Sequence, residues 1–400
     1  MVSLLKTRTI TGLVLLALTL GLPQVSHAIN WPSSPSLEAK SWALIDARSG
    51  QVLINHNADE ELPPASLTKM MTLYLIFEDL KMGRIHADAE VSVSEKAWKI
   101  GGSTMFLDPR MKPTVGDLIH GIATYSGNDA CIVMAEYIAG SEDAFADRMN
   151  EKAKQLGMKH THFINATGFP AEGHYSSALD MAILGAALWH DFPEQYAVFS
   201  EKNFTYKGRT QWNRNRLLWS MPDADGIKTG HTEKAGFCLV GSVEKNNMRL
   251  VSAVFGTNSD RARMSESKAL LSFGFRNFVS MRPAERDIRR QVRVYEGTEN
   301  HVWLKPADTT WISVPRGYED QLVFRLRYDS PLKAPVAENQ AIGTIDAVIK
   351  DKQGQVSEPL ISIPMQAARE IPQASWFGRQ LDRLRLWWSD ESEATADSNE

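Results

Sequence analysis

The sequence predicts an α+β fold of the mixed α/β class. One sheet is drawn from both ends of a first domain with helices between its strands, and a small all-β domain follows. Three observations predict it. Residues 41–55, Ser-Trp-Ala-Leu-Ile-Asp, then Ala-Arg-Ser-Gly, then Gln-Val-Leu-Ile, read as a hairpin closed by a glycine turn. Apolar residues then recur at helical spacing in 66–80, 113–139, 142–156 and 178–190. Strand patterning returns at 237–257, and beyond about Phe278 short alternating stretches are separated by Pro and Gly.

Composition sets the outer limits. At 400 residues the chain is long enough for two domains and a sizeable core, and its net charge of −4 gives no bulk basic surface for nucleic acid. Two cysteines form neither a disulfide framework nor a Cys-x-x-Cys metal site. Residues 1–28 read as a secretory signal peptide: Lys6 and Arg8, an apolar run from Leu13 to Leu22, then Ser26-His27-Ala28 before a cut at Ile29. Export without disulfides suits a bacterial periplasm or outer cell surface.

The elements follow in order. After the hairpin, Pro63 and Pro64 end an extended segment, and a helix is expected from Ser66 to about Leu80. The periodicity of 113–139 is interrupted at Tyr125-Ser126-Gly127-Asn128-Asp129. Phe237 to Val243, a Lys245-Asn246-Asn247 turn and Arg249 to Phe255 read as paired strands, and a helix at about 262–274 closes a domain spanning 29–278. Residues 279–370, with stretches such as Leu322-Val323-Phe324-Arg325-Leu326, read as the all-β domain, a spacer or docking module.

Residues 371–389 predict a terminal amphipathic helix. Trp376, Phe377, Leu381, Leu384, Trp387 and Trp388 fall largely on one face, with Arg379, Arg383 and Arg385 mostly away from it. Such a face describes a helix lying in a membrane interface, worth on the order of 8–15 kcal/mol gross if fully buried. Asp390 to Glu400 form an acidic tail of disordered composition.

The chemistry centres on Pro-Pro-Ala-Ser66-Leu-Thr-Lys69. Three residues apart on a helix, Ser66 and Lys69 share a face. A serine hydroxyl needs a base to take its proton as it attacks, and a lysine serves if burial or a second cation lowers its pKa. Ser-x-x-Lys alone is common by chance. Two further motifs follow it: Ser126-Gly127-Asn128 and, after Asp225-Gly226-Ile227, Lys228-Thr229-Gly230. Ser-x-x-Lys, Ser-Asp-Asn and Lys-Thr-Gly are together the signature of penicillin-binding proteins and class A β-lactamases, and the three motifs here resemble it in order and separation, with Ser-Gly-Asn in place of Ser-Asp-Asn. With Tyr-Ser-Gly-Asn-Asp-Ala-Cys, Asp-Gly-Ile-Lys-Thr-Gly-His-Thr, Gly173-His174-Tyr175 and Asn213-Arg214-Asn215, the chain resembles the low-molecular-mass penicillin-binding proteins that are serine-type D-alanyl-D-alanine carboxypeptidases.

The resemblance covers nearly the whole chain. It implies a β-lactamase/transpeptidase-like sheet flanked by helices, removal of the terminal D-alanine from peptidoglycan pentapeptides through an acyl-enzyme, and acylation of Ser66 by β-lactams. Combined with the residues' chemistry, it makes Ser66 the nucleophile, Lys69 its base and Ser126 a proton relay. Asn128, Lys228, Thr229, Gly230, His231, Arg214 and Arg263 are then expected to bind substrate, the arginines gripping its carboxylate. No metal or cofactor is expected. The expected place is the periplasmic face of the inner membrane, with attachment through the terminal helix. Between Ala97-Trp98 and Gly102-Ser103 the sequence carries a shorter loop than the family usually does, which bears on the rim of the site. Cys131 and Cys238 read as small buried apolar groups. The competing readings are a β-lactamase, a DD-endopeptidase, and a low-turnover membrane-bound penicillin-binding protein concerned with cell shape.

Overall fold

A computed structural model describes residues 31–308 and 310–388, so the expected signal peptide and acidic tail lie outside the described residues. The first domain is built on five antiparallel strands: β1 (Ser41–Asp46), β2 (Val52–His56), β3 (Ala224–Thr232), β4 (Gly236–Lys245) and β5 (Met248–Thr257). Their order is β2-β1-β5-β4-β3, so the amino-terminal hairpin pairs with the last strand and β3 is left at an edge. Alternation sorts side chains to the two faces. Ala43, Ile45, Val251 and Ala253 join one core with Met70, Leu73 and Leu184, while Trp42, Leu44, Leu250 and Val254 join another with Leu270 and Leu271. Helices α1 (Lys69–Lys81), α2 (Asn128–Ala139), α3 (Glu142–Gln155) and α4 (Ala178–Asp191) supply the first core. Helix α5 (Asp260–Asn277) covers the opposite face.

The expected hairpin, the helices after 142 and 178, and the 237–257 strands are all present. Three local features differ from expectation. Ser66 lies in a 3₁₀ turn, Ala65–Thr68, and α1 begins only at Lys69, because Ala65 takes a left-handed φ of 48° just after the prolines. The break in 113–139 is a π-turn, Gly121–Tyr125, ending in Ser126 at φ 63°, ψ 38°. Lys228-Thr229-Gly230 stands just before the Phe237 strand but on a strand of its own, β3, absent from the expected elements because two glycines and no clear alternation hid it.

The second domain is a six-stranded sheet whose strands include His301–Pro306, Leu322–Tyr328, Ala341–Ile349 and Ile361–Ala367, around a core of Val302, Leu304, Ile345 and Ile363. It is clasped to the β1–β2 turn. Gln51 Nε2 donates to the Ser313 and Leu360 carbonyls at 3.2 and 3.1 Å, Ser313 Oγ donates to Asp46 at 2.6 Å, and Arg48 lies between the Trp189 and Trp311 rings. The terminal helix, α6, runs Trp376–Trp388. Residues just before it, which were expected to be helical, stay extended around Pro372, with Ile371 bridged to Val336.

Candidate active site

The 3₁₀ turn makes positions three apart eclipse, which brings the first motif together more tightly than an α-turn would. Lys69 Nζ donates to Ser66 Oγ at 2.9 Å and to the Thr167 carbonyl at 2.5 Å. Ser66 is half-buried and opens into a cleft, while Lys69 is among the largest fully buried side chains. Burial, aided by the positive charge of Arg214, lowers the Lys69 pKa to about 8. A useful fraction of the amine is therefore neutral near pH 7, and it already touches the hydroxyl it would deprotonate.

The second motif is set by the turn before α2. The left-handed Ser126 directs the chain so that Asn128 starts the helix; Asn128 N donates to the Ser103 carbonyl at 2.7 Å and Nδ2 to the Gly101 carbonyl at 2.8 Å. Asp129 accepts from the Met105 and Leu107 N–H groups at 2.9 and 3.0 Å. The short loop expected to shape the rim is thus tied directly to the Ser126-Gly127-Asn128 turn. Ser126 Oγ is buried and has no hydrogen-bond partner among the described residues.

The third motif lies on edge strand β3. Gly230 leaves room for the turn that carries Ser66: a Cβ there would sit 2.9 Å from the Pro64 carbonyl oxygen. Lys228 is buried, its Nζ donating to the Thr229 carbonyl at 3.2 Å; burial and then the charges of Lys69 and Arg214 hold its pKa well below the usual lysine range. His231 stacks on Phe237 with ring centroids 4.0 Å apart.

A cleft of about 440 Å³ brings Ser66, Ser126, Thr229, Gly230, His231, Arg214 and Arg263 together. Lys69, Asn128 and Lys228 are buried. The two arginines differ. Arg263 donates to the Gly230 carbonyl at 3.0 Å and pairs with Asp260 at 2.5 Å, so its guanidinium is engaged. Arg214 is exposed to the cleft and makes no hydrogen bond or ion pair among the described residues.

Sequence reasoning missed the groups that hold this arrangement. The Thr167 carbonyl that fixes Lys69 belongs to a loop tightened by Asn165, whose Oδ1 accepts from Thr167 N and Gly168 N at 3.1 and 2.7 Å. His174 accepts from Ile164 N at Nδ1 (3.0 Å), which assigns the proton to Nε2, donated to Thr68 Oγ1 at 2.9 Å. Cys131 and Cys238 are buried and unpaired, and burial raises the Cys131 thiol to about 12 and Cys238 to about 11, in keeping with their apolar reading.

Residues 28–259 match the family model described as D-alanyl-D-alanine carboxypeptidase. The chain belongs to that family. Residues 282–373 match the model described as the C-terminal domain of penicillin-binding protein 5. The chain is 41% identical to D-alanyl-D-alanine carboxypeptidase DacA of Escherichia coli K12 over 365 residues, 89% of each chain. It is 39% identical to DacA of Haemophilus influenzae, over 88% of this chain and 90% of the relative. Among solved structures, penicillin binding protein 5 from H. influenzae superposes with a TM-score of 0.80 at 38% identity, covering 86% of this chain and all of that one. Penicillin binding protein 6B from E. coli gives 0.69 at 34% identity, covering 84% and 98%. The activity is therefore that of a serine DD-carboxypeptidase on a penicillin-binding-protein fold.

Proposed function

We propose that this DD-carboxypeptidase removes the terminal D-alanine of peptidoglycan pentapeptides by a two-step acyl transfer at Ser66, and that β-lactams are trapped at the same oxygen. The observation that carries the reading is the 2.9 Å contact between a fully buried Lys69 amine and the Ser66 hydroxyl. Ser66 Oγ attacks the carbonyl of the D-Ala-D-Ala bond while Lys69 takes its proton. Backbone N–H groups of Ser66 and of β3 near His231 receive the developing oxyanion; losing one such donor costs about 3–4 kcal/mol in comparable sites. As an edge strand, β3 has backbone groups free to pair with the extended peptide, and Asn128 borders the opposite wall.

The substrate carboxylate meets Arg214, Thr229 and His231. Arg263 acts through Gly230, which it holds in place. The proton that Lys69 takes from Ser66 passes through Ser126 to the departing amine, which returns Lys69 to its neutral form. Lys228, whose own charge is disfavoured by burial and by Lys69, is the second amine of this buried pair. Water then attacks the ester, with Lys69 again accepting the proton. Purified enzyme should release free D-alanine from a diacyl-D-Ala-D-Ala peptide, and Ser66→Ala should release none.

The place of action that fits is the periplasmic face of the inner membrane, with α6 lying on the lipid surface. The polar side of α6 is committed to the second domain: Asp382 accepts from Glu296 N at 2.7 Å, and Arg383 pairs with Glu296 at 3.3 Å. Trp376, Phe377, Leu381 and Leu384 stay exposed on the other side. Among the described residues no helix is long and apolar enough to cross a membrane, so an in-plane attachment is the form proposed.

A further inference from the structure

We infer that the site also accepts peptides ending in a D-amino acid with a large apolar side chain; the inference rests on the carboxypeptidase reading above. A second cavity, of about 500 Å³, opens beside the catalytic cleft and shares Trp212, Asn213 and Arg216 with it. Its remaining walls are Trp219, Ser220 and Met264. Trp212 is 63% exposed and Trp219 47%, a large aromatic surface standing in water beside a substrate site. Two polar side chains of this cavity are already engaged. Arg216 pairs with Asp260 at 2.9 Å, and the Ser220 hydroxyl faces the Met264 sulfur at 3.7 Å. What remains is mostly the indole surface of Trp212 and Trp219, with the Lys202 amine 5.8 Å from the Trp219 ring centroid.

The position of the unpaired arginine decides which part of the substrate comes here. Arg214 lines only the catalytic cleft, and it directly follows Trp212 and Asn213, which line both cavities. A carboxylate held by Arg214 places the last residue of the peptide in the catalytic cleft beside Trp212 and Asn213, the residues through which the second cavity adjoins it. The methyl of D-alanine leaves the indoles and the thioether untouched. The ring of D-phenylalanine or the thioether of D-methionine fills the space between them. The chemistry is unchanged. The amide C–N bond breaks, the acyl carbon forms an ester with Ser66 Oγ, the amine leaves with the proton taken from the serine, and water hydrolyses the ester, releasing one free D-amino acid per water consumed.

The test uses the full chain and two peptides differing only in the last residue, diacyl-D-Ala-D-Ala and diacyl-D-Ala-D-Phe, with the released amino acid measured by chromatography. The expected kcat/KM for D-phenylalanine release lies within about tenfold of that for D-alanine. Trp219, which lines only the second cavity, is the diagnostic position. Trp219→Ala should lower D-phenylalanine release about tenfold or more, a scale typical of lost apolar pocket contacts, and D-alanine release by no more than about twofold. Trp219→Phe should restore most of the difference. Release of D-alanine without measurable release of D-phenylalanine overturns the inference and leaves the carboxypeptidase reading standing. Equal slowing of both peptides by Trp219→Ala also overturns it. So does slowed cleavage of a cross-linked peptide dimer with D-phenylalanine release intact, which would give the cavity to a neighbouring stem peptide. Failure to release D-alanine at all would overturn the parent reading.

Discussion

A Cβ built on Gly168 would sit 1.8 Å from the carbonyl oxygen of Ala65, the residue before Ser66. Gly168 also has a φ of +83°, and it directly follows Thr167, whose carbonyl holds Lys69. The loop over the lysine and the turn carrying the serine are therefore pressed backbone to backbone. Gly168→Ala should force them apart. The expected outcome is a loss of at least about 1 kcal/mol in chemical denaturation, from the φ requirement alone. A fall in penicillin acylation of tenfold or more should accompany it, as the Ser66–Lys69 contact opens. Unchanged acylation would show that the contact does not depend on this loop.

The Lys69 pKa of about 8 gives a pH profile with a definite sign. The neutral amine is the active form, so the second-order rate of acylation should rise about tenfold per pH unit below 8 and level off above it. Arg214 contributes to lowering this pKa, so Arg214→Gln should move the inflection to higher pH and separately raise KM. Stopped-flow acylation by a fluorescent penicillin between pH 5.5 and 10 reads the inflection. An inflection that stays put in Arg214→Gln would remove the electrostatic role given to that residue.

His174 predicts a pH dependence of stability. Burial, then the neighbouring charges of His162 and Lys69, lowers its pKa from 6.5 to about 4. Between those values the unfolded chain binds a proton that the folded chain refuses, so stability falls as pH drops from about 6.5 to about 4 and is unaffected by this residue above that window. The full contribution is on the order of 3 kcal/mol. His174→Gln keeps a donor for Thr68 and an acceptor for Ile164 N. Its urea midpoint should therefore lose less between pH 6.5 and 4.5 than the parent's.

Attachment through α6 is testable without disturbing the second domain. Removing everything after Gln366 would also delete Ala367 and Ile371, which are buried in that domain's core. The cleaner variant is Leu381→Glu with Leu384→Glu, both exposed and on the apolar side. Each charge removes an apolar contact worth about 1.5–3 kcal/mol when buried in lipid. The variant should move from the membrane fraction to the supernatant while its D-alanine release in solution stays within about twofold. Continued sedimentation with membranes would rule out this face as the attachment.

Much of this site was legible in the residues because its chemistry is carried by side chains at short spacing. Ser66 and Lys69 had to be neighbours on any helical turn, and the β1–β2 hairpin and the β4–β5 pair announce a sheet drawn from both ends of the domain. What stayed hidden is of two kinds. The Thr167 carbonyl that fixes Lys69 is a backbone group with no identity of its own, and the left-handed Ser126 and Ala65 are conformations that tertiary packing imposes on residues that rarely adopt them. The pairing of Arg263 was readable: Asp260 precedes it by three positions on α5, a spacing that brings opposite charges together. Strand β3 gave little signal because a site strand with two glycines lacks the alternation of a packed one.

Mass spectrometry after exposure to penicillin tests the central claim most directly. The intact chain should gain the mass of one penicilloyl group, digestion should place it on the peptide containing Ser66, and Ser66→Ala should gain none. An unmodified wild-type chain, an adduct on any other side chain, or labelling that survives Ser66→Ala would contradict a nucleophile activated by the buried Lys69.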